Sequence, residues 1–311
     1  MFYYKIYGLR IASEIMINQA TPGEPSNLVD VTIRRGKVPK TIDSPLKTRE
    51  KELYMVSDDE FLFHVKGVAT FYIRNGQEII VCDISEQADH VVSQVEAINL
   101  FLCGTCLGAA LIQRNTFPLH GSCVEKNGKG IVLVGDSGAG KSTVARAFIN
   151  RGWRLVSDDV IAVTKKNNSF FAESGFPGQK LWDDALERTT SGTVRKILRT
   201  VDNKSKFAVD LKRDEEFCED TVKIEGVFIL IPEEMEQAQV VLLEGITPVH
   251  ALMNYVFRKE LISSYRKKQK LFSNYMAFAE NSLVFEVLRP VAVGKENELA
   301  KEIRDSLVKI E

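Results

Sequence analysis

The run GIVLVGDSGAGKST, residues 130–143, constrains this chain more than any other segment. Its branched apolar residues 131–134 read as a buried strand, and residues 142–150 read as a helix. Between them Gly135-Asp136-Ser137-Gly138-Ala139-Gly140-Lys141-Ser142-Thr143 matches G-x-x-x-x-G-K-[ST] in the strand-loop-helix setting that the motif requires. Glycines let successive backbone N–H groups converge on phosphate oxygens at a helix N-terminus. Lys141 is spaced to span the β- and γ-phosphates, and the Ser142 hydroxyl is spaced to ligate Mg²⁺. A chain with this element is expected to build an α/β layer around it and to bind a nucleotide.

Two further features fall beside the loop. The helix after Lys141 travels about 16 Å at 1.5 Å per residue, and residues 153–157 return about 16 Å at 3.3 Å per residue. A parallel β-α-β crossover would then bring Asp158 and Asp159 to the strand ends where ligands bind. Adjacent carboxylates there suit two tasks, one holding Mg²⁺ and the other accepting a proton from an attacking hydroxyl. His120 follows from hairpin arithmetic. A two-residue turn at Asn127-Gly128 pairs residues whose numbers sum to 255, which sets His120 across from Gly135. An imidazole there could bond a phosphoryl oxygen or orient an aspartate.

Organisation along the chain suggests a β-rich domain over 1–88, a connecting helix over 89–114 and a catalytic α/β domain over 115–311. Residues 2–11, rich in aromatic and branched apolar types, read as β, Val29, Val31 and Ile33 alternate with polar neighbours, and Asn75-Gly76 marks a hairpin between 69–74 and 77–82. Val91, Val92, Val95, Ile98, Leu102 and Cys106 keep helical spacing. Farther on, separate strands are expected at 153–157 and 160–164, a buried apolar run at 222–231, and a final helix striped by Leu299, Ile303, Leu307 and Ile310.

Composition enters mainly through what it excludes. With 41 Lys+Arg against 42 Asp+Glu, no whole-chain charge favours nucleic acid or an anionic membrane. The beginning of the sequence lacks a signal-peptide layout, and the apolar run 97–112 falls short of a membrane span. The five cysteines are an odd count in a chain too large to need disulfide staples. A cytoplasmic protein with reduced thiols is expected. Cys103 and Cys106 sit in apolar helical surroundings that favour packing over metal or redox chemistry, and His64, His90 and His250 have no ligand-spaced partner.

His120-Gly121, GIVLVGDSGAGKST and RGWRLVSDDVIAV together resemble the kinase domain of the HPr kinase/phosphorylase family. The resemblance implies a fold like the nucleotide domain of phosphoenolpyruvate carboxykinase and phosphoryl transfer to a protein serine. It implies ATP and Mg²⁺ as cofactors and a homo-oligomer. By the same resemblance His120, Lys141, Ser142, Asp158 and Asp159 match catalytic or metal-binding positions, with Asp158 as general base and Asp159 nearer the metal. Over nearly the whole length, including YYKIYGLRIASEI and PGQKLWDDALE, the chain is similar to the HPr-kinase-like proteins of lasso peptide pathways. That likeness implies a peptide substrate whose carboxyl-terminal serine is the acceptor.

Three lysines complete the candidate site. Lys180 follows a Pro-Gly turn, where its cation could meet phosphate or a peptide carboxylate. Lys204 and Lys206 lie in the segment 195–213, whose cations are opposed only by Asp202 and Asp210. This segment is read either as a solvated face or as a lid that brings Lys204 or Lys206 to the transferred group. A second basic run, 258–270, is read as helix surface. Asn203-Lys204-Ser205-Lys206 lacks the aspartate of a guanine-reading motif, which leaves ATP as the expected donor. Two other functions fit the same motifs: a kinase for a metabolite hydroxyl, and a module that senses ATP without consuming it.

Overall fold

The computed structural model describes residues 1–49, 53–83, 94–182, 186, 193–201, 204–291 and 294–309. His90, Asp202, Ile310 and the expected start of a helix at 89–93 lie outside the described residues. Its contacts divide the chain into two units. One comprises Met1–Pro118 with Phe257–Asn274, and the other comprises Leu119–Val256 with Tyr275–Glu311.

The first unit is built on an eight-stranded sheet of β1 (Phe2–Ile6), β2 (Leu9–Ser13), β3 (Val31–Arg35), β4 (Lys47–Thr48), β5 (Tyr54–Val56), β6 (Glu60–Val65), β7 (Ala69–Arg74) and β8 (Glu78–Asp83). Their order is β1-β2-β3-β8-β7-β6-β5-β4, with β3 parallel to both neighbours. The β segment at 2–11 is a hairpin of β1 and β2, turned by Tyr7 and Gly8, which both take left-handed backbone, at φ 54° and 74°. Tyrosine rarely adopts that region, so its side chain hid the turn. At the Asn75-Gly76 hairpin Arg74 faces Glu78, one residue later than expected, with Gln77 drawn into the turn.

Residues Gln94–Phe101 form α1 and Leu107–Gln113 form α2, joined by a π-helical turn at Leu102–Cys106. The combined stretch Gln94–Gln113 has the length and hydropathy of a membrane span, which the sequence reading had denied it. Of its most apolar window, 72% is buried inside the protein, as in a core helix. Cys103 and Cys106 are buried there, and burial pushes the Cys106 thiol up from its ordinary pKa.

The second unit carries the phosphate loop. Its main sheet contains β9 (Phe117–Lys126), β10 (Lys129–Gly135), β11 (Arg154–Lys166), β12 (Ser169–Ala172), β16 (Val222–Glu233), β17 (Gln239–Leu242) and β18 (Leu283–Pro290). A separate three-stranded sheet contains β13 (Gly178–Trp182), β14 (Thr193–Val201) and β15 (Lys204–Asp210) in the order β13-β15-β14. Asn127 and Gly128, at φ 55° and 78°, form the two-residue turn that pairs Lys126 with Lys129 and Gly121 with Val134. β10 lies antiparallel to β9 and parallel to β16, and β16 lies parallel to β18.

The loop helix α3 (Lys141–Ile149) and the last long helix (Glu296–Val308) share a core with this sheet. Val144, Phe148, Leu299, Ile303 and Leu307 pack with Phe228 and Phe285, whose rings stack at 4.7 Å. Burying side chains of this size stabilises the unit by about 1.5–3 kcal/mol each, which holds the base of the loop rigid.

One element of the basic run 258–270 is not on the surface. Lys267, in the helix Tyr265–Glu280, is buried, and its Nζ donates to the Gln113 carbonyl at 3.0 Å and to Asn115 Oδ1 at 3.3 Å. The ammonium thus satisfies the end of α2, where carbonyls lack helical partners and a cation is favoured. Lys267→Ala should lower stability by about 1–3 kcal/mol, read by urea denaturation. Lys267→Met, which keeps the stem, should lose nearly as much; full stability of the Met variant would contradict the cap.

Candidate active site

The phosphate loop leaves β10 at Gly135, where φ is 151° and a Cβ would stand 2.6 Å from the Leu230 carbonyl oxygen. No side chain fits so close to the neighbouring strand. The loop then turns into α3 through Gly140 at φ 91°. Lys141 is buried, and its Nζ donates to the carbonyls of Gly135 at 2.8 Å and Asp136 at 2.9 Å. Its ammonium therefore closes the loop upon itself. Asp136 and Ser137 are exposed, Ala139 is buried, and Ser142 and Thr143 are half-buried on the first turn of α3.

Arg289, at the end of β18, braces the loop from outside. Its Nε donates to the Ala139 carbonyl at 3.0 Å, and its guanidinium lies 3.2 Å from where a Cβ on Gly140 would be. Burial lowers its pKa from the ordinary arginine value. No feature of the sequence near Arg289 signals this role, which depends on the parallel pairing of β16 with β18.

Asp158 and Asp159 lie within one continuous strand, β11, instead of between two. Within that strand Asp159 takes left-handed backbone at φ 76°, a conformation costly for a non-glycine residue and found chiefly where surroundings enforce it. Two contacts enforce it here. Ser157 Oγ donates to the Val160 carbonyl at 2.5 Å, and His120 Nδ1 lies 3.0 Å from the Asp159 carbonyl.

This kink sends the two carboxylates to different partners. Asp158 Oδ1 accepts from Ser122 Oγ at 2.5 Å and from Ser142 Oγ at 3.1 Å, and its Oδ2 accepts from the Lys180 backbone N–H at 3.0 Å. Asp159 instead meets Lys180 Nζ at 2.6 Å through Oδ2 and His120 Nδ1 at 3.4 Å through Oδ1. Lys180 belongs to β13, which is tied to the loop helix by Gln179 Nε2 donating to the Ser142 carbonyl at 3.2 Å.

His120, Lys141, Ser142, Asp158, Asp159 and Lys180 therefore converge. Lys204 and Lys206 are placed by backbone only, in β15, with their side chains outside the described residues. Ser122, Gln179 and Arg289 belong to the site without having been singled out from sequence. Ser122 was within reach, since it lies two residues from His120 on β9 and period-two spacing sets both on one face.

A carbonyl oxygen only accepts, so the His120 Nδ1 that meets it carries a proton. Burial, the dominant influence on this ring, lowers its pKa, with Lys141 adding to the effect and Asp159 opposing it. The neutral ring then presents Nε2 as its lone-pair nitrogen.

The donor set also suits Mg²⁺. Ser142 Oγ and the Asp158 carboxylate are hard oxygen ligands side by side, and among the described residues no cluster of three or more His, Cys, Asp or Glu side chains could hold a metal alone. Mg²⁺ is commonly held in this way, by one or two protein oxygens together with phosphate and water.

The model of the family described as SynChlorMet cassette protein ScmC matches residues 80–289. The chain belongs to that family. It is also HPr kinase-like in sequence: the HPr kinase/phosphorylase of Prosthecochloris aestuarii is 33% identical over 105 residues, covering 34% of this chain and 28% of that protein. The corresponding protein of Chloroherpeton thalassium is 48% identical over 56 residues, covering 18% of this chain and 16% of that protein. The chain thus spans less than a third of the length of these relatives. Among solved structures, the Hpr(Ser) kinase/phosphatase from Coxiella burnetii matches with a TM-score of 0.35 and 15% identity, covering 62% of this chain and 92% of that one.

Because the folded site disfavours the imidazolium, His120 should take up its second proton only below the ordinary histidine value of about 6.5. An NMR titration of the ring in the intact protein measures this. Titration above that value would contradict the neutral ring that burial favours.

Proposed function

We propose that this member of the ScmC family is an ATP- and Mg²⁺-dependent kinase that phosphorylates a serine hydroxyl of a peptide or protein, with the carboxyl-terminal serine of a lasso peptide precursor as its acceptor. The observation that carries the reading is the pair of carboxylates at the phosphate loop, one bonded to the Ser142 hydroxyl and the other to Lys180. A module that only bound nucleotide would need no second carboxylate beside the first. The lasso precursor as acceptor rests on the sequence resemblance, as does assembly into a homo-oligomer. A cytoplasmic setting is supported by Cys82, Cys103, Cys106, Cys123 and Cys218, which all stand as thiols.

Bound ATP would supply the phosphoryl group, and Mg²⁺ would offset the charge on its oxygens. The loop N–H groups and Lys141 orient the phosphates. For that, Lys141 must exchange the Gly135 and Asp136 carbonyls for phosphate oxygens.

The geometry favours exchanging the roles first given to the aspartates. Asp158 already accepts three hydrogen bonds, one from the hydroxyl spaced to ligate metal, so it suits metal holding better than proton transfer. Asp159 is then the proton acceptor for the serine hydroxyl. His120 holds its backbone in the strained conformation, and Lys180 holds its carboxylate. Once Asp159 gains the proton its charge is gone, and the Lys180 ammonium is released toward the newly formed phosphate.

Incubation of the intact protein with γ-labelled ATP, Mg²⁺ and a precursor peptide ending in serine tests the reading. Label on the terminal serine is expected, and Asp159→Asn should lower kcat about 10²–10⁴-fold, the usual weight of a general base, with nucleotide affinity kept. Label on a metabolite and on no peptide, or undiminished transfer by Asp159→Asn, would overturn the respective assignment.

A further inference from the structure

The small sheet β13-β15-β14 has two chemically opposite faces, and one of them starts at the site. On β15 the odd positions form an apolar face: Phe207 lies between Leu181 and Ile197 in register, and Val209 lies between Gln179 and Val194. Leu181 and Val209 are almost wholly buried. The even positions form the other face. Ala208 lies between Lys180 and Lys196, Lys206 lies between Trp182 and Arg199, Lys204 pairs with Val201, and Asp210 lies between Gly178 and Thr193. Directly opposed residues share a face of a sheet, so the register, with its two bulges in β14, gathers five cationic positions and one acidic position, Asp210, on the side occupied by Lys180.

The sheet is tied to the site by three contacts of β13, two of them to the carboxylates. Gln179 reaches the Ser142 carbonyl at 3.2 Å, the Lys180 N–H reaches Asp158 at 3.0 Å, and the Lys180 ammonium reaches Asp159 at 2.6 Å. The acidic segment that follows does not simply cancel this charge. Glu216 is held by Arg146 and the Lys212 N–H, and Glu215 is held by Lys212 Nζ.

We infer that this cationic face is the docking surface for an acidic segment of the peptide substrate, laid down next to its acceptor serine. The inference rests on the peptide-kinase reading above and names the chemistry of its partner. Successive rows on the face repeat about every 6.6–6.8 Å along the strands, which is also the spacing of alternate side chains in an extended peptide. Carboxylates at alternate positions would meet successive rows, and charge complementarity of this kind governs encounter and register. A single-stranded nucleic acid would also meet cations here, but a serine hydroxyl must reach Asp159, and only a peptide carries one.

Fluorescence anisotropy of the intact protein with a short extended peptide ending in serine, carrying glutamate at alternate positions, tests the surface directly. The same peptide with glutamine in place of glutamate, and an oligomer of single-stranded RNA, serve as comparisons. The glutamate peptide should bind about tenfold or more tightly than its glutamine counterpart, with the difference shrinking as salt rises. The double variant Lys196→Gln/Arg199→Gln should remove most of that preference while keeping wild-type affinity for ADP, which also shows that it is folded. Equal binding of the two peptides, tighter binding of RNA, or a matching loss of ADP affinity in the double variant would overturn the surface. Binding is read without turnover, so the two readings separate. Preference for the acidic peptide without label transfer would retain the surface and remove the kinase, and equal transfer to both peptides would do the reverse.

Discussion

The hydrogen bond from the Ser142 hydroxyl to Asp158, 3.1 Å long, joins the two halves of the site. One partner sits on the first turn of the loop helix and the other lies far along β11, so the bond exists only if the loop, α3 and β11 are placed together. The packing of α3 and the last helix against the sheet, with Phe228 and Phe285 stacked beneath them, supplies that placement. Ser122 and the Lys180 N–H complete the hold on Asp158 from β9 and β13. Three elements, α3, β9 and β13, thus converge on one carboxylate of β11, which sets the Ser142 hydroxyl and the Asp158 carboxylate side by side.

The second carboxylate depends on strain. With ordinary extended backbone at Asp159, side chains 158 and 159 would point to opposite faces of the strand. At φ 76° the chain turns locally and Asp159 meets Lys180 and His120 while Asp158 keeps its serines. Backbone energy of about 1–3 kcal/mol is stored there, offset by the buried contacts of Ser157 and His120 with the flanking carbonyls. Both carboxylates thereby stay at the site, one bonded to serines and the other beside Lys180 and His120.

Much of this was legible locally. The phosphate loop is readable because glycine φ values and the Lys-Ser spacing are decided within ten residues or so, and the Asn127-Gly128 turn fixes its own register. Contacts that depend on distant pairing were not legible. Arg289 reaches the loop only through the β16–β18 pairing, Lys267 is buried only because α2 ends against it, and the Tyr7-Gly8 turn was masked by a residue that rarely adopts its conformation. The different partners of Asp158 and Asp159 were likewise hidden, since they depend on the left-handed backbone at Asp159 and on contacts from β9 and β13. Alternation along β15 could have been read as a two-faced strand, but the basic face needed the register of three strands.

Manganese bound with ADP, followed by electron paramagnetic resonance in the wild-type protein and in Asp158→Asn and Asp159→Asn, separates the two carboxylates most directly. The predicted result is that Asp159→Asn keeps the metal signal of the wild type and Asp158→Asn loses it. Loss in Asp159→Asn with retention in Asp158→Asn would contradict the division of labour on which the proposed chemistry rests.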